Sequence, residues 1–194
     1  KPNYLAIAFD LKAPTKRHLI YKEYKGTRKP MPNELAQQMP MIKEILRAMN
    51  IKVIELPGYE ADDILGTLAK HSEKQGVDTI LLTGDRDSFQ LASNHITIRI
   101  PRTKAGKTET EDYTIEKVEE IYGLSPLKLI EVKGLMGDTS DNIPGIPGVR
   151  EKTAIKLIKE NGSVEELYNQ MEKGQAKLKG ALREKVINNI KDFL

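Results

Sequence analysis

Cysteine and tryptophan are both absent from this 194-residue sequence, and histidine and phenylalanine occur only three times each. Without a thiol there is no disulfide and no thiolate metal site, and a cytosolic home is consistent with that. His18, His71 and His95 stand apart, and no Ser or Cys nucleophile pairs with any of them. A Ser-His mechanism is therefore excluded, and the three read as surface or packing residues. No apolar run approaches the length needed to cross a bilayer, and no signal peptide is visible. Charge of one sign is also scarce. Charged residues make up 30% of the chain, but the formal net charge is only +3. That value alone does not identify a nucleic-acid binder, so the distribution of charge has to be read.

With 39% hydrophobic residues the chain suits one ordinary domain, or two small ones sharing a core. Abundant Lys, Glu and Ile hint at a warm-growing source. Residues 5–9, 52–56 and 79–83 are short apolar runs that stop at polar or turn signals, and each reads as a buried parallel strand. The first begins so early that the chain reads as a fragment. Between the strands lie helical patterns. Leu35, Met39, Ile42, Leu46 and Met49 recur at helical spacing over residues 33–49, with Pro40 a candidate kink and the methionines read as core. Ile64, Leu65, Leu68 and Ala69 share a face over residues 60–75. Strand–helix–strand–helix–strand implies a parallel sheet with right-handed crossovers. Residues 95–100 alternate as Ile96, Ile98 and Ile100, and the turn at 104–107 then leads to residues 108–113, which reads as an edge hairpin. From Thr114 onward the pattern is helical, over residues 114–122, 126–136, 151–161, 163–172 and 180–192. Thr114 and Ser125 suit N-caps, and Ser163 with Glu166 suits a capping box. The fold class is thus α/β for residues 1–113, then all-helical for residues 114–194.

The carboxylates gather in groups. Asp10 ends the first strand, Glu60, Asp62 and Asp63 open the helix after the second, and Asp85 and Asp87 follow the third. In a parallel sheet all three places lie at the carboxyl edge, where open α/β sheets build their sites. Asp138 and Asp141 form a further pair in the helical region. A single acid at a helix start is commonly only a cap. Eight in doublets at strand ends point instead to a shared cation, because converging carboxylates repel unless a cation intervenes. Hard oxygen ligands without His or Cys favour Mg²⁺ or Mn²⁺. Two such ions roughly 4 Å apart can clamp a scissile phosphate.

Residues 12–29 carry Lys12, Lys16, Arg17, Lys22, Lys25, Arg28 and Lys29 against a single acid, Glu23. Leaving the sheet at Asp10, this segment is suited to steer a phosphate backbone toward an acidic site. Tyr24 suits stacking on a base, with a core-anchored Tyr as the alternative. Farther on, Gly145, Gly148, Lys152 and Thr153 place a helix N-terminus after a tight turn, which presents free N–H groups to a phosphate. Such contacts are sequence-independent.

Gly58-Tyr59-Glu60-Ala61-Asp62-Asp63, Thr83-Gly84-Asp85-Arg86-Asp87 with Gln90-Leu91, and Gly137-Asp138-Thr139-Ser140-Asp141-Asn142-Ile143-Pro144-Gly145 occur in that order, after Tyr24-Lys25-Gly26-Thr27-Arg28-Lys29-Pro30-Met31-Pro32. Together they resemble the 5′ nuclease domains of bacterial DNA polymerase I, in the flap-endonuclease superfamily, over essentially the whole chain. The resemblance implies a PIN-like nuclease core followed by a helix–hairpin–helix DNA-binding module. It also implies two metal sites. Asp10, Glu60 and Asp62 would serve the first, Asp87, Asp138 and Asp141 the second, and Asp85 would lie between them. Asp63 matches a further acidic position. Arg17, Tyr24, Lys25 and Arg28 match positions near the single-strand gateway, and a potassium ion is implied at the hairpin. The implied reaction is hydrolysis of DNA and primer RNA at 5′ ends or flaps, in a cytoplasmic, nucleoid-associated enzyme of replication and repair, with a fused polymerase in the parent. RNA primer–DNA hybrids are thus implied partners beside DNA.

Three features depart from the family pattern. Members carry an earlier strand with an Asp that completes the first metal site, and nothing here corresponds to it. An aromatic residue usually precedes the Arg matching Arg17, where this chain has Lys16. The hairpin usually reads Gly-hydrophobic-Gly, where this chain has Gly148-Val149-Arg150, and a Cβ at Arg150 would penalise a positive φ. The alternative expectation is a catalytically impaired fragment that holds branched DNA.

Overall fold

The computed structural model describes residues 2–104, 106–174 and 180–189. Two compact units emerge: residues 1–71 with 140–142, and residues 72–139 with 143–194.

In the first unit, β1 (Ala6–Ala8) pairs in parallel with β2 (Lys52–Ile54), with Ala6 opposite Lys52 and Ala8 opposite Ile54. Phe9 extends the ladder by donating its N–H to the Ile54 carbonyl, which fixes the exit of β1 one residue before Asp10. A short helix that the apolar spacing does not signal, α1 (Lys16–Ile20), starts at Thr15. There the Thr15 and His18 side chains form a reciprocal capping box. The next helix, α2 (Asn33–Ala48), runs through Pro40 as one element. Its apolar stripe is less buried than the spacing predicts. Leu46 is covered, but Leu35, Ile42 and Met49 are exposed, as is Met41. A sheet of two three-residue strands is too small to cover a helix of 16 residues. Lys43 ties α2 to the sheet, pairing with Glu55 and lying over the Phe9 ring. After β2 comes α3 (Ala61–Lys74), with Asp62 and Asp63 in its first turn.

The second unit holds a separate sheet, so the single parallel sheet expected for the first three strands is not what forms. Here β3 (Thr79–Leu82) pairs in parallel with β4 (Ile96–Lys104), and β4 pairs antiparallel with β5 (Lys107–Tyr113). The hairpin is therefore the body of this sheet, with β4 central and β5 at its edge. Ala105 of its turn lies outside the described residues. Ile96, Ile98 and Ile100 are buried, as their alternation requires. β3 is not buried on both faces. Leu81 is covered while Ile80 and Leu82 are exposed, because β3 is an edge strand with one covered face. Pro101 is tolerated in β4 because β3 pairs only as far as Arg99, so no ladder bond is lost on that side. Between β3 and β4 a 3-10 segment, Arg86–Leu91, buries Phe89, whose ring stacks on Tyr113 at 4.4 Å.

The helical part follows the sequence closely. Thr114 caps α4 (Ile115–Tyr122) by accepting from the Lys117 N–H. A 3-10 turn at Pro126–Lys128 opens α5 (Leu129–Met136), where the spacing predicts one continuous helix, and Ser125 makes no side-chain cap bond. After it come α6 (Glu151–Asn161), α7 (Val164–Glu172), capped by Ser163, and α8 (Gly180–Asn189). Residues 190–192 of the expected last helix lie outside the described residues. Leu135, Ile146, Val149, Leu157, Ile158, Leu167 and Val186 close one apolar core. Each such side chain contributes about 1.5–3 kcal/mol on burial. Gly137 and Gly145 cross backbone to backbone. A Cβ on Gly145 would overlap the Met136 carbonyl carbon, so neither strand of this crossing admits a side chain.

Candidate metal and nucleic-acid site

In the first unit the expected acids and the expected cations are bonded to one another. Asp10 uses one carboxylate oxygen to accept the Ala61 N–H at 2.7 Å, capping α3 from outside the helix. Asp63 accepts the Glu60 N–H at 3.0 Å and both arms of the Arg17 guanidinium at 2.7 Å. Arg17 holds the Asp63 carboxyl below its usual range, and the same bond raises Arg17. Glu60 is buried, and Lys25 Nζ donates to it at 2.6 Å. Tyr24 donates its one hydroxyl proton to Asp141 at 2.9 Å, with a Glu60 oxygen 3.1 Å from the same hydroxyl. Burial pushes the Tyr24 hydroxyl up, and the bond to Asp141 adds to this, so it stays a donor. Arg28 pairs with Asp141 and also donates to the Ser140 carbonyl. Asp62 stands beside Asp63 in the first turn of α3.

Tyr24 is only 4% exposed, and its ring meets His18 edge-on at 5.1 Å. Stacking on a base is therefore replaced by a core anchor whose hydroxyl joins two carboxylates. Lys25 has φ of 56° and Asn142 has φ of 57°, both in the left-handed region. For a side chain with a Cβ this costs about 1–2 kcal/mol. Lys25 is held there by its N–H bond to the Asp141 carbonyl and by its ion pair with Glu60. Asn142 is held by its side-chain bond to the Glu23 carbonyl.

In the second unit Asp85 caps the 3-10 segment by accepting the Asp87 N–H at 2.8 Å. Asp87 and Asp138 both meet Lys133 Nζ, each at 2.8 Å. Burial raises Asp87, and the nearby negative charges of Asp85 and Asp138 add to that, while Lys133 works against it. Burial would lower Lys133, but its bonds to Asp138 and Asp87 outweigh this and hold it above an ordinary lysine. Asp138 and Asp141, three apart in sequence, thus turn to different cations: Asp138 to Lys133, Asp141 to Arg28. Among the described residues no three His, Cys, Asp or Glu side chains stand together as a ready metal cage. The donor chemistry still fits a hard divalent ion, since carboxylate oxygens supply it and Asp87 and Asp138 already converge on one cationic atom.

At the hairpin, Val149 donates its N–H to the Ile146 carbonyl, and Gly148 has φ of 85°. That conformation needs glycine. Arg150 has φ of −108°, so the expected penalty for its Cβ does not arise. As N-cap of α6 it makes no side-chain cap bond, and Lys152 and Thr153 lie in the first turn, where helix N–H groups lack helical partners. Gly145 has a packing role, since its backbone touches that of Met136 and Gly137. Beside this turn lies a cleft of about 270 Å³ lined by Lys133, Asp138, Thr139, Arg150 and Glu151, among others. Lys133 is a cation among these acids that motif reading passes over. Its signal is a lone cation on an otherwise largely apolar helix, five residues before Asp138.

A family model described as 5′-3′ exonuclease, N-terminal resolvase-like domain, matches residues 1–123. A second, 5′-3′ exonuclease, C-terminal SAM fold, matches residues 124–194. The DNA polymerase I of Bacillus subtilis (strain 168) is 51% identical over 185 residues, covering 95% of this chain and 21% of that protein. The DNA polymerase I of Bacillus caldotenax is 49% identical over 186 residues, with coverages of 95% and 21%. The chain therefore spans about a fifth of the length of these curated relatives. In fold it is similar to the phage T5 5′-exonuclease with divalent zinc ions bound, at a TM-score of 0.79 and 20% identity, covering 98% of this chain and 71% of the other.

Proposed function

The chain belongs to the 5′-3′ exonuclease family, and from that premise we propose that it is a structure-selective nuclease that hydrolyses DNA at 5′ ends and flaps. The observation that carries this reading is the pairing of acids with the basic strap: Lys25 and Arg28 each meet a carboxylate of the expected metal-binding set, and Arg17 meets Asp63, the further acidic position beside it. Such a strap can trade carboxylate partners for phosphates while the carboxylates take up metal.

By the resemblance, Asp10, Glu60 and Asp62 are assigned to one divalent ion and Asp87, Asp138 and Asp141 to another, with Asp85 serving both, and Mg²⁺ or Mn²⁺ is favoured by the all-oxygen donors. When bound, such ions activate water and stabilise the leaving oxygen of a phosphodiester. The chain's own residues do the rest. Arg17, Lys25 and Arg28 neutralise the incoming backbone. Tyr24 holds Glu60 and Asp141 in place through its hydroxyl. The first amides of α6, with Lys152, hold duplex phosphate without reading sequence. Potassium at the hairpin, primer RNA–DNA hybrids as substrates and a polymerase in the same polypeptide belong to the same reading. So does action during replication and repair.

The test is a 5′-labelled flap incubated with Mg²⁺ or Mn²⁺. Short labelled products are expected, and Asp85→Ala or Asp138→Ala should remove them while DNA binding persists. No products from a folded full-length parent overturns the reading. A second reading, a branched-DNA holder with impaired cutting, is favoured by the ion pairs that already engage Glu60, Asp87 and Asp138. Gel shifts in Ca²⁺ without cleavage in Mg²⁺ would select it.

A further inference from the structure

Lys133 is placed as a cation rather than as a surface lysine. It projects from α5, a helix whose Val132 and Leu135 are buried, so its backbone is anchored while its four-carbon stem can swing. Its Nζ lies 2.8 Å from Asp87 Oδ1 and 2.8 Å from Asp138 Oδ2. One carboxylate comes from the 3-10 segment after β3 and the other from the loop after α5. Two carboxylates drawn to a common point repel unless a positive charge lies between them. A single ammonium cancels only one of the two negative charges. A divalent ion cancels both and also offers stronger oxygen coordination. The cleft of about 270 Å³ beside Lys133 and Asp138 gives a hydrated ion a way in.

We propose that the Lys133 ammonium is a resident counter-ion for Asp87 and Asp138, which holds the two carboxylates together before metal binds and gives way to a divalent cation. This rests on the reading of Asp87 and Asp138 as metal-binding carboxylates. Lys133 then sets the threshold for metal: it preforms the site, and it competes with the ion that the site receives. Exchange of one cation for another needs no proton transfer, because the displaced ammonium moves toward solvent with its charge intact.

The experiment is a Mn²⁺ titration by calorimetry on the full chain, together with melting in EDTA and in Mn²⁺. Lys133→Met keeps the length of the side chain and removes the charge. It is expected to melt lower than the parent in EDTA, to regain more stability on adding Mn²⁺, and to bind one Mn²⁺ about ten-fold tighter. Lys133→Arg, which keeps the charge, should stay close to the parent in all three. Equal or weaker Mn²⁺ binding by Lys133→Met overturns the proposal. Should Met fail to fold, Lys133→Gln carries the same comparison. Asp138→Asn separates the counter-ion role from the metal site itself. Loss of one Mn²⁺ in Asp138→Asn, with Lys133→Met matching the parent, removes the counter-ion and leaves the metal reading standing. Unchanged Mn²⁺ binding in Asp138→Asn removes both.

Discussion

Arg17 grips Asp63 with both arms of its guanidinium, Nη1 and Nη2 each 2.7 Å from a separate carboxylate oxygen. The pair joins α1 to the first turn of α3. Its side chains are 45% and 26% exposed, so solvent screens much of the attraction. A double-mutant cycle with Arg17→Ala and Asp63→Ala, read by chemical denaturation, is expected to give a coupling of about 0.5–1 kcal/mol. A coupling indistinguishable from zero would mean that the two-pronged contact does not order this segment.

Asp10 offers a way to separate a structural role from a chemical one. Its carboxylate accepts the Ala61 N–H at 2.7 Å, and an amide oxygen can accept the same bond. Asp10→Asn should melt close to the parent and lose flap cleavage. Asp10→Ala should lose cleavage and also about 1 kcal/mol of stability. Equal melting temperatures for the Asn and Ala variants would show that the cap contributes nothing to stability.

The crossing of Gly137 and Gly145 makes a sharper prediction. A methyl on Gly145 would overlap the Met136 carbonyl carbon. Gly145→Ala should therefore destabilise the helical part by more than about 4 kcal/mol, or prevent its folding. Gly134 lies in the interior of α5, with nothing within 4 Å of the place a methyl would take. Gly134→Ala should stabilise by about 0.5–1 kcal/mol. Thermal melts of both variants decide it, and a tolerated Gly145→Ala would refute the close approach.

The β4–β5 hairpin is set to loosen in acid. Lys117 and then Tyr113 pull the Glu111 carboxyl below its usual range, and Arg99 does the same to Asp112. Carboxylates lowered in the folded state add stability above their unfolded pKa, about 4, and lose it as pH falls through the lower folded value. Amide protection factors in residues 99–104 and 106–112 should hold at about pH 5 and drop below about pH 4. A hairpin equally protected at about pH 5 and about pH 2.5 would show that these pairs contribute nothing to it.

How much of the fold is legible in the sequence depends on how local the physics is. The helices after Thr114 are legible because caps and apolar spacing act within a few residues: Thr114 and Ser163 each accept a first-turn N–H, although the Glu166 side chain of the expected capping box accepts from Gln170 instead. The alternating isoleucines of β4 give its buried face for the same reason. The partners of β3, the exposure of the α2 stripe and the buried place of Tyr24 are not legible, since each depends on which distant segment arrives to cover it.

The site divides along the same line. Sequence alone marked which carboxylates and which cations are candidates for the chemistry, because charge type and spacing within a motif are properties of the chain. Only the tertiary structure decided that Arg17 answers Asp63, that Tyr24 spans Glu60 and Asp141, and that Lys133 lies between Asp87 and Asp138. Hydrogen bonds and ion pairs act over a few ångströms in space. Neighbourhood in space between residues tens of positions apart is fixed by packing, not by their order in the chain.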